Sequence, residues 1–267
     1  MTEHLSTAVR HEGLNEATIH FRENGVQIAG ACITAAKFSV DNVHYDSLIV
    51  TILPTAGEKL RTKQLEEIFR RIRSIATERD IDFLITVPAG NEDYHTLMSL
   101  GFRSSLYEKQ VDMDAKALRT QWRRILKSTG APGEHPYSSY VSVRETALKN
   151  TDHVVYDDRF LRYLFLRAKQ GGGNLILNND GYAVYRYDPE TEHVTVREML
   201  TASSYSAMLE KLLETGAGTF SFYLPADAGL NGGKTKTVRS GMTCAISQRA
   251  RAAEKLIDKA YLGIALG

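Results

Sequence analysis

The sequence lacks charge excess, sulfur and long apolar runs, and each shortage removes a class of function. Its 33 basic and 32 acidic side chains leave a formal charge of +1, without the basic surplus that a nucleic-acid-binding chain uses to neutralise phosphates. The nearest basic stripe is Arg119, Arg123, Arg124 and Lys127. It alternates with Trp122, Ile125 and Leu126 at helical spacing and reads as the wet face of an amphipathic helix. No nucleic-acid partner is expected. The two cysteines, Cys32 and Cys244, stand in apolar stretches, too few for a disulfide scaffold and suited to a reducing compartment. The eight histidines show no ligand spacing, so no metal is expected. Residues 1–15 are polar, without the apolar centre of a signal peptide, and no apolar run approaches the ~18 residues of a membrane span. A cytoplasmic protein with no membrane contact is the expectation.

What remains is ordinary globular material: 267 residues, 43% hydrophobic and 24% charged, enough for two units of ordinary domain size. Strand-like segments at 17–21 and 26–34 flank Glu23-Asn24-Gly25, a hairpin signal because Asn and Gly tolerate positive φ. A nearly unbroken apolar run at 44–53 reads as a strand covered on both faces. Leu65, Ile68, Phe69, Ile72 and Ile75 then recur at helical spacing. A short buried strand at 82–87, a helix at 93–100 ended by Gly101, and an extended segment at 102–113 complete a β-β-β-α-β-α-β order. A helix at 114–128 precedes the turn-rich stretch 129–136, where the domain boundary is expected: residues 1–130 and 137–267.

The second half repeats the plan. A helix at 158–169 leads to strands at 174–178 and 182–187 around Asn179-Asp180-Gly181, then a strand at 193–200 and a helix at 205–213. Strands at 219–224 and 241–247 and a final helix at 250–262 end the chain. The glycines at 229–235 do not form a phosphate loop, because Ala228 stands where a Walker motif needs its first Gly. Glu198, in an apolar strand, reads either as a salt-bridged core carboxylate or as an anchor for an amine.

From Val50-Thr51-Ile52-Leu53-Pro54 through Leu65, and again at Phe83–Pro88, Asn91 and Gly101-Phe102-Arg103, the first half resembles the GNAT superfamily of acyl-CoA N-acyltransferases. The second half resembles the C-terminal domain of tandem GNAT proteins of the enhanced-intracellular-survival type. The pieces that carry it are Asp158-Arg159-Phe160-Leu161, Asp180-Gly181-Tyr182, Val196-Arg197-Glu198-Met199-Leu200, Ser240-Gly241-Met242 and the tail from Ala260 to Gly267. The resemblance implies an α/β fold of two tandem GNAT-like domains, each a mixed, mostly antiparallel twisted sheet flanked by helices. It implies transfer of an acetyl or other acyl group from acyl-CoA to a small-molecule amine; a homo-oligomer is compatible with it. The alternative is a non-catalytic protein on the same fold that binds a small ligand or a protein partner.

In that family the cofactor's diphosphate lies on backbone N–H groups at a helix start, an anion site by virtue of its unpaired donors and dipole. The implied cofactor residues are Thr51, Ile52, Leu53, Gly57, Lys59, Leu60, Arg61, Thr62 and Asn91. The loop keeps the family's length from Pro54 to Leu65 but not its content. Glu58 and Leu60 hold the customary glycine places, and Gly57 holds the customary arginine place. The place of the usual proton-donating tyrosine holds Leu97. Tyr94 lies one turn earlier and is the substitute candidate. The resemblance also implies that a C-terminal carboxylate, here that of Gly267, acts as general base.

Overall fold

The computed structural model describes residues 5–11, 16–55, 60–125, 135–170 and 174–263. The Asn24-Gly25 hairpin forms as the sequence predicts: both residues take positive φ, 51° and 83°, between β2 (Glu16–Glu23) and β3 (Val26–Val40). β4 (Val43–Pro54) pairs antiparallel with β3 along its whole length. Helix α1 (Thr62–Glu78) crosses over to β5 (Phe83–Thr86), which pairs parallel with β4. Leu65, Ile68, Phe69, Ile72 and Ala76 form the buried side of α1, the stripe legible in the sequence except at its end, where Ala76 is buried and Ile75 only partly so. Helix α2 (Asn91–Ser99) ends at Gly101 (φ 86°), and β6 (Arg103–Asp114) and α3 (Ala115–Arg124) follow. The Asp114 carboxylate caps α3 by accepting the Ala117 N–H at 2.7 Å.

The second half opens earlier than the sequence predicts, with α4 (Tyr137–Leu148) and the short β7 (His153–Val155). Then come α5 (Asp158–Gln170), β8 (Asn174–Leu177), β9 (Gly181–Asp188), β10 (His193–Thr201), α6 (Ser206–Leu213) and β11 (Thr219–Pro225). β10 and β11 pair parallel across α6, as β4 and β5 do across α1. The same plan occurs twice. One further strand, β1 (Leu5–His11), pairs with β2 at the sheet edge and was not expected. The expected final helix is shorter: α7 spans Gln248–Ala253, and the chain beyond it becomes extended.

The two halves do not make separate sheets. All twelve strands among the described residues belong to one sheet, ordered β1-β2-β3-β4-β5-β12-β6-β11-β10-β9-β8, with β7 on β3. β12 (Lys234–Ala245), from the second half, lies between β5 and β6 of the first and is antiparallel to both. Gly241 makes the insertion sterically feasible, since a Cβ there would lie 2.8 Å from Leu106 Cδ1 and 3.1 Å from the Thr86 carbonyl oxygen. After α7, residues 260–261 run beside β6 and β7. The Ala260 N–H donates to the Ser105 carbonyl (2.8 Å), and the Val154 N–H donates to the Tyr261 carbonyl (3.0 Å). Because β7 also pairs with β3, the path β3-β4-β5-β12-β6-(260–261)-β7 closes on itself. One core cluster gathers Phe38, Ile49, Phe83, Ile85, Leu106, Val154 and Tyr261 from this ring, with α4 and α5 contributing Tyr140 and Leu164. A second cluster lies beneath α1 and α2, and a third unites α3 and α6 with strands of the second half.

Candidate functional site

The parallel pair β4–β5 is short and ends abruptly. Its register runs from Ser47–Phe83 to Val50–Thr86, and the last rung is reinforced by the Thr86 hydroxyl donating to the Val50 carbonyl at 2.8 Å. There β5 stops and Pro88 follows, whereas β4 continues for four more residues paired on β3 alone. The two strands therefore part at their carboxyl ends. The Thr55 N–H donates to Ile28 of β3 at 3.1 Å. Counting back by the two-residue period puts the backbone N–H groups of Leu53 and Thr51 on the β3 side and that of Ile52 on the open side.

A cavity of about 340 Å³ fills this opening. Ile52 and Pro54 form one wall, Leu60, Leu65 and Phe69 another. Thr86 to Gly90 and the first turns of α2, including Asn91, Glu92, Asp93 and Leu97, complete it. The interior is apolar and the polar groups stand at the α2 end.

The start of α1 is partly occupied by the protein itself. The Arg61 N–H donates to Gln64 Oε1 at 2.9 Å. Gln64 Nε2 and Arg61 Nη2 both donate to the Glu23 carboxylate, at 3.0 and 2.7 Å. A carboxylate thus sits beside a helix N-terminus, with its charge offset by the neighbouring guanidinium. Thr62 and Lys63 in the first turn are exposed, and first-turn amides have no intrahelical acceptor.

No protein-family profile matches the sequence, and no curated protein matches it. Solved structures do match. A conserved protein from Enterococcus faecalis V583, described as a probable N-acyltransferase, superposes with a TM-score of 0.71 at 11% identity, over 93% of this chain and 74% of that one. A GCN5-related N-acetyltransferase from Anabaena variabilis gives 0.68 at 10% identity, over 86% and 63%. Eis1 from Mycobacterium abscessus gives 0.62 at 15% identity, over 88% and 66%. The chain therefore spans about two thirds to three quarters of the length of these three. The fold is that of the GCN5-related N-acetyltransferases.

Within this acetyltransferase fold, the residues singled out in the sequence divide into three groups. Ile52, Leu60 and Asn91 line the cavity. Thr51 and Leu53 lie on the same stretch of β4 but alternate to its other face, Thr51 level with Cys32 of β3 and Leu53 half exposed. Thr62 and Arg61 stand at the start of α1, with the Arg61 guanidinium turned to Glu23. Gly57, Lys59 and Gly267 lie outside the described residues, as does Glu58. Tyr94 is absent from the cavity wall. Its hydroxyl accepts from Ser104 Oγ at 3.2 Å, and the Arg239 guanidinium lies 4.9 Å over its ring. Leu97, in the place of the family's tyrosine, does face the cavity and is 2% exposed.

Glu198 resolves to the core reading. It is fully buried and paired with Arg144 of α4 at 2.5 Å, and it accepts from the Tyr182 hydroxyl at 2.7 Å. Arg144 Nη1 also donates to that hydroxyl, at 3.1 Å. Burial would disfavour the charged guanidinium, but Glu198 holds it charged, well above even the usual arginine range. Burial followed by Glu198 raises the Tyr182 phenol well above its usual range. Close to this pair stands a second carboxylate, Glu108 of β6, which the sequence analysis missed. Desolvation first, then the Glu198 charge, push its pKa up from 4.5 to about 7, against a smaller opposing effect of Arg197. A single Glu in an alternating strand carries no signal of its partners, so only the packing identifies it.

No group of three or more His, Cys, Asp or Glu among the described residues is placed to hold a metal ion. No described helix is long and apolar enough to cross a membrane.

Proposed function

We propose that this chain is a GNAT-type N-acyltransferase, built from halves spanning residues 1–130 and 137–267, that moves an acetyl or other acyl group from acyl-CoA to a small-molecule amine. The observation that carries the reading is the opening beyond the Val50–Thr86 rung, with an apolar cavity behind it and the Ile52 N–H directed into it. A pantetheine arm is narrow and largely apolar with amide groups along it, which suits a slot bounded by a strand edge able to continue its hydrogen bonding. The diphosphate would meet the amides of Thr62 and Lys63, with Lys63 supplying charge and Glu23 neutralised by Arg61.

Bound acyl-CoA supplies an activated carbonyl and a thiolate leaving group. The protein's part is to hold that carbonyl against the Ile52 N–H, where a donor fixed in an apolar slot stabilises developing negative charge better than water does, and to exclude water with Leu60, Leu97 and Phe69. On the family resemblance, the candidate to take the amine's proton is the carboxylate of Gly267.

The second reading is a non-catalytic protein on this fold. It is supported by Leu97 in the cavity wall and by Gln64 and Glu23 at the head of α1. Calorimetry and thermal unfolding with acetyl-CoA separate the two. At about a hundredfold over the dissociation constant, binding to the native state raises stability by ~2.7 kcal/mol. Wild type is expected to show the gain, and Leu60→Trp, which fills the slot from a half-buried position, to lose it without a change in unliganded midpoint. Absence of any gain in wild type favours the non-catalytic protein; an equal gain in both places the ligand elsewhere.

A further inference from the structure

A second, larger cleft lies at the opposite end of β5 from the cavity beside β4. Its volume is about 870 Å³, within the range of small-molecule sites. The first half supplies the last turns of α1 and α2 and the start of β6. The second supplies the end of β12 together with α7. The strand register explains why the halves meet there. Cys244 and Ala245 of β12 pair with Leu84 and Phe83 at the amino end of β5, and α7 begins at Gln248.

Four cations line this cleft, Arg73, Arg103, Arg251 and Lys255, against one carboxylate, that of Glu254. The carboxylate is already engaged. Its Oε1 accepts the Ala245 N–H at 3.2 Å, and its Oε2 lies 3.5 Å from Arg103 Nε. Arg73 is fixed by the fold as well. Its Nη2 donates to the Leu100 carbonyl at the end of α2, offsetting the negative end of that helix. The same nitrogen donates to Cys244 Sγ at 3.0 Å, so the guanidinium is held while its Nε and Nη1 have no partner among the described residues. Nor do the side chains of Arg251 and Lys255 have a hydrogen bond or ion pair there. Cations gathered on one concave surface raise its potential and draw in an anion. The rest of the lining includes apolar side chains: Met98 is 50% exposed, and Leu100 and Ile246 are half-buried.

We infer that this cleft binds a phosphorylated organic molecule of nucleotide size, at a site separate from the proposed acyl-CoA slot. Its phosphate oxygens would meet Arg73, Arg103, Arg251 and Lys255, since guanidinium forks and an ammonium suit that geometry. Its organic body would lie on Met98, Leu100 and Ile246. A nucleic-acid strand fits less well, because the cations are confined to one cleft on a chain whose formal charge is only +1. The inference needs no acyl transfer and stands whether or not acetyl-CoA binds.

Titration calorimetry on the full chain tests it, with ADP as probe and inorganic pyrophosphate as the probe without an organic body. ADP also resembles the nucleotide end of CoA, so variants at both sites are compared. Wild type should bind ADP more tightly than pyrophosphate, with an affinity that falls as salt rises. The double variant Arg251→Glu with Lys255→Glu, at two exposed positions, should weaken ADP by at least about tenfold, the loss of one or more charge-assisted hydrogen bonds. Arg251→Gln with Lys255→Gln should fall between, and both variants should keep the unliganded thermal midpoint of wild type. Lys63→Glu at the head of α1 should leave ADP binding unchanged, as should Arg119→Glu with Arg123→Glu on α3. No ADP binding at millimolar concentration, or equal affinity in wild type and the Arg251–Lys255 reversal, overturns the inference. So does a loss caused by Lys63→Glu, which puts ADP beside α1, or an equal loss from the α3 reversal, which reduces the attraction to net charge. Pyrophosphate binding as tight as that of ADP overturns the role given to the apolar wall.

Discussion

At the scale of single residues, the buried Arg144–Glu198 pair is the most consequential element. Both side chains are out of water, and Tyr182 joins them in one hydrogen-bonded network. A pair of this kind is not itself strong evidence of stability, but breaking it leaves one charge uncompensated. Glu198→Gln is expected to cost ~3–5 kcal/mol in urea unfolding, and the double change Arg144→Met with Glu198→Leu to recover most of it. A loss below 1 kcal/mol for the single variant would mean that water reaches the pair. The Glu108 carboxylate has the opposite sign of effect. Burial, then the Glu198 charge, raise its folded pKa to about 7 from the ordinary 4.5, so the folded state binds the extra proton between those values. The stability this gives is full below pH ~4.5 and is lost as pH rises through 7. Glu108→Gln should therefore be more stable than wild type at pH 8 and equal to it at pH 4.

At the scale of elements, the insertion of β12 between β5 and β6 decides how the halves depend on each other. Residues 1–130 contain β5 and β6 but not the strand that joins them. Expressed alone, that segment is expected to give the poorly dispersed amide spectrum of a chain without a fixed core, whereas the full chain gives a dispersed one. A well-dispersed spectrum from 1–130 would show that β12 is dispensable. The elements that were legible in the sequence are those with local signals: the Asn24-Gly25 hairpin, the stripe from Leu65 through Ile72 on α1, and the buried strand at Phe83–Thr86. The elements that were missed lack such signals. α4 mixes serines with Tyr140, Val143 and a buried Arg144, so no clean apolar stripe appears. β7 has three residues; β12 was expected only as a strand at 241–247, and its earlier start at Lys234 and its place between strands about 120 to 160 residues earlier in the chain carry no local signal. The candidate site was legible to a similar degree. Ile52, Leu60 and Asn91, which the family resemblance singled out, line the cavity, whereas the buried pairing of Arg144 with Glu198 appears only once the two halves pack together.

At the scale of the whole molecule, the two repeats of strand, crossover helix and parallel strand share one continuous sheet, and only the first repeat has a cavity described at its parting strands. The division of labour follows. The first repeat holds the cavity, which the proposed function assigns to the thioester, and the second contributes β12, the closing segment at 260–261 and the buried Arg144–Glu198 pair. A crystal of the protein grown with CoA tests this account most directly. The account predicts density for the pantetheine arm between β4 and β5, within hydrogen-bond distance of the Ile52 N–H, with the diphosphate over Thr62 and Lys63. An empty slot at saturating CoA, or CoA bound away from the end of β4, would contradict it.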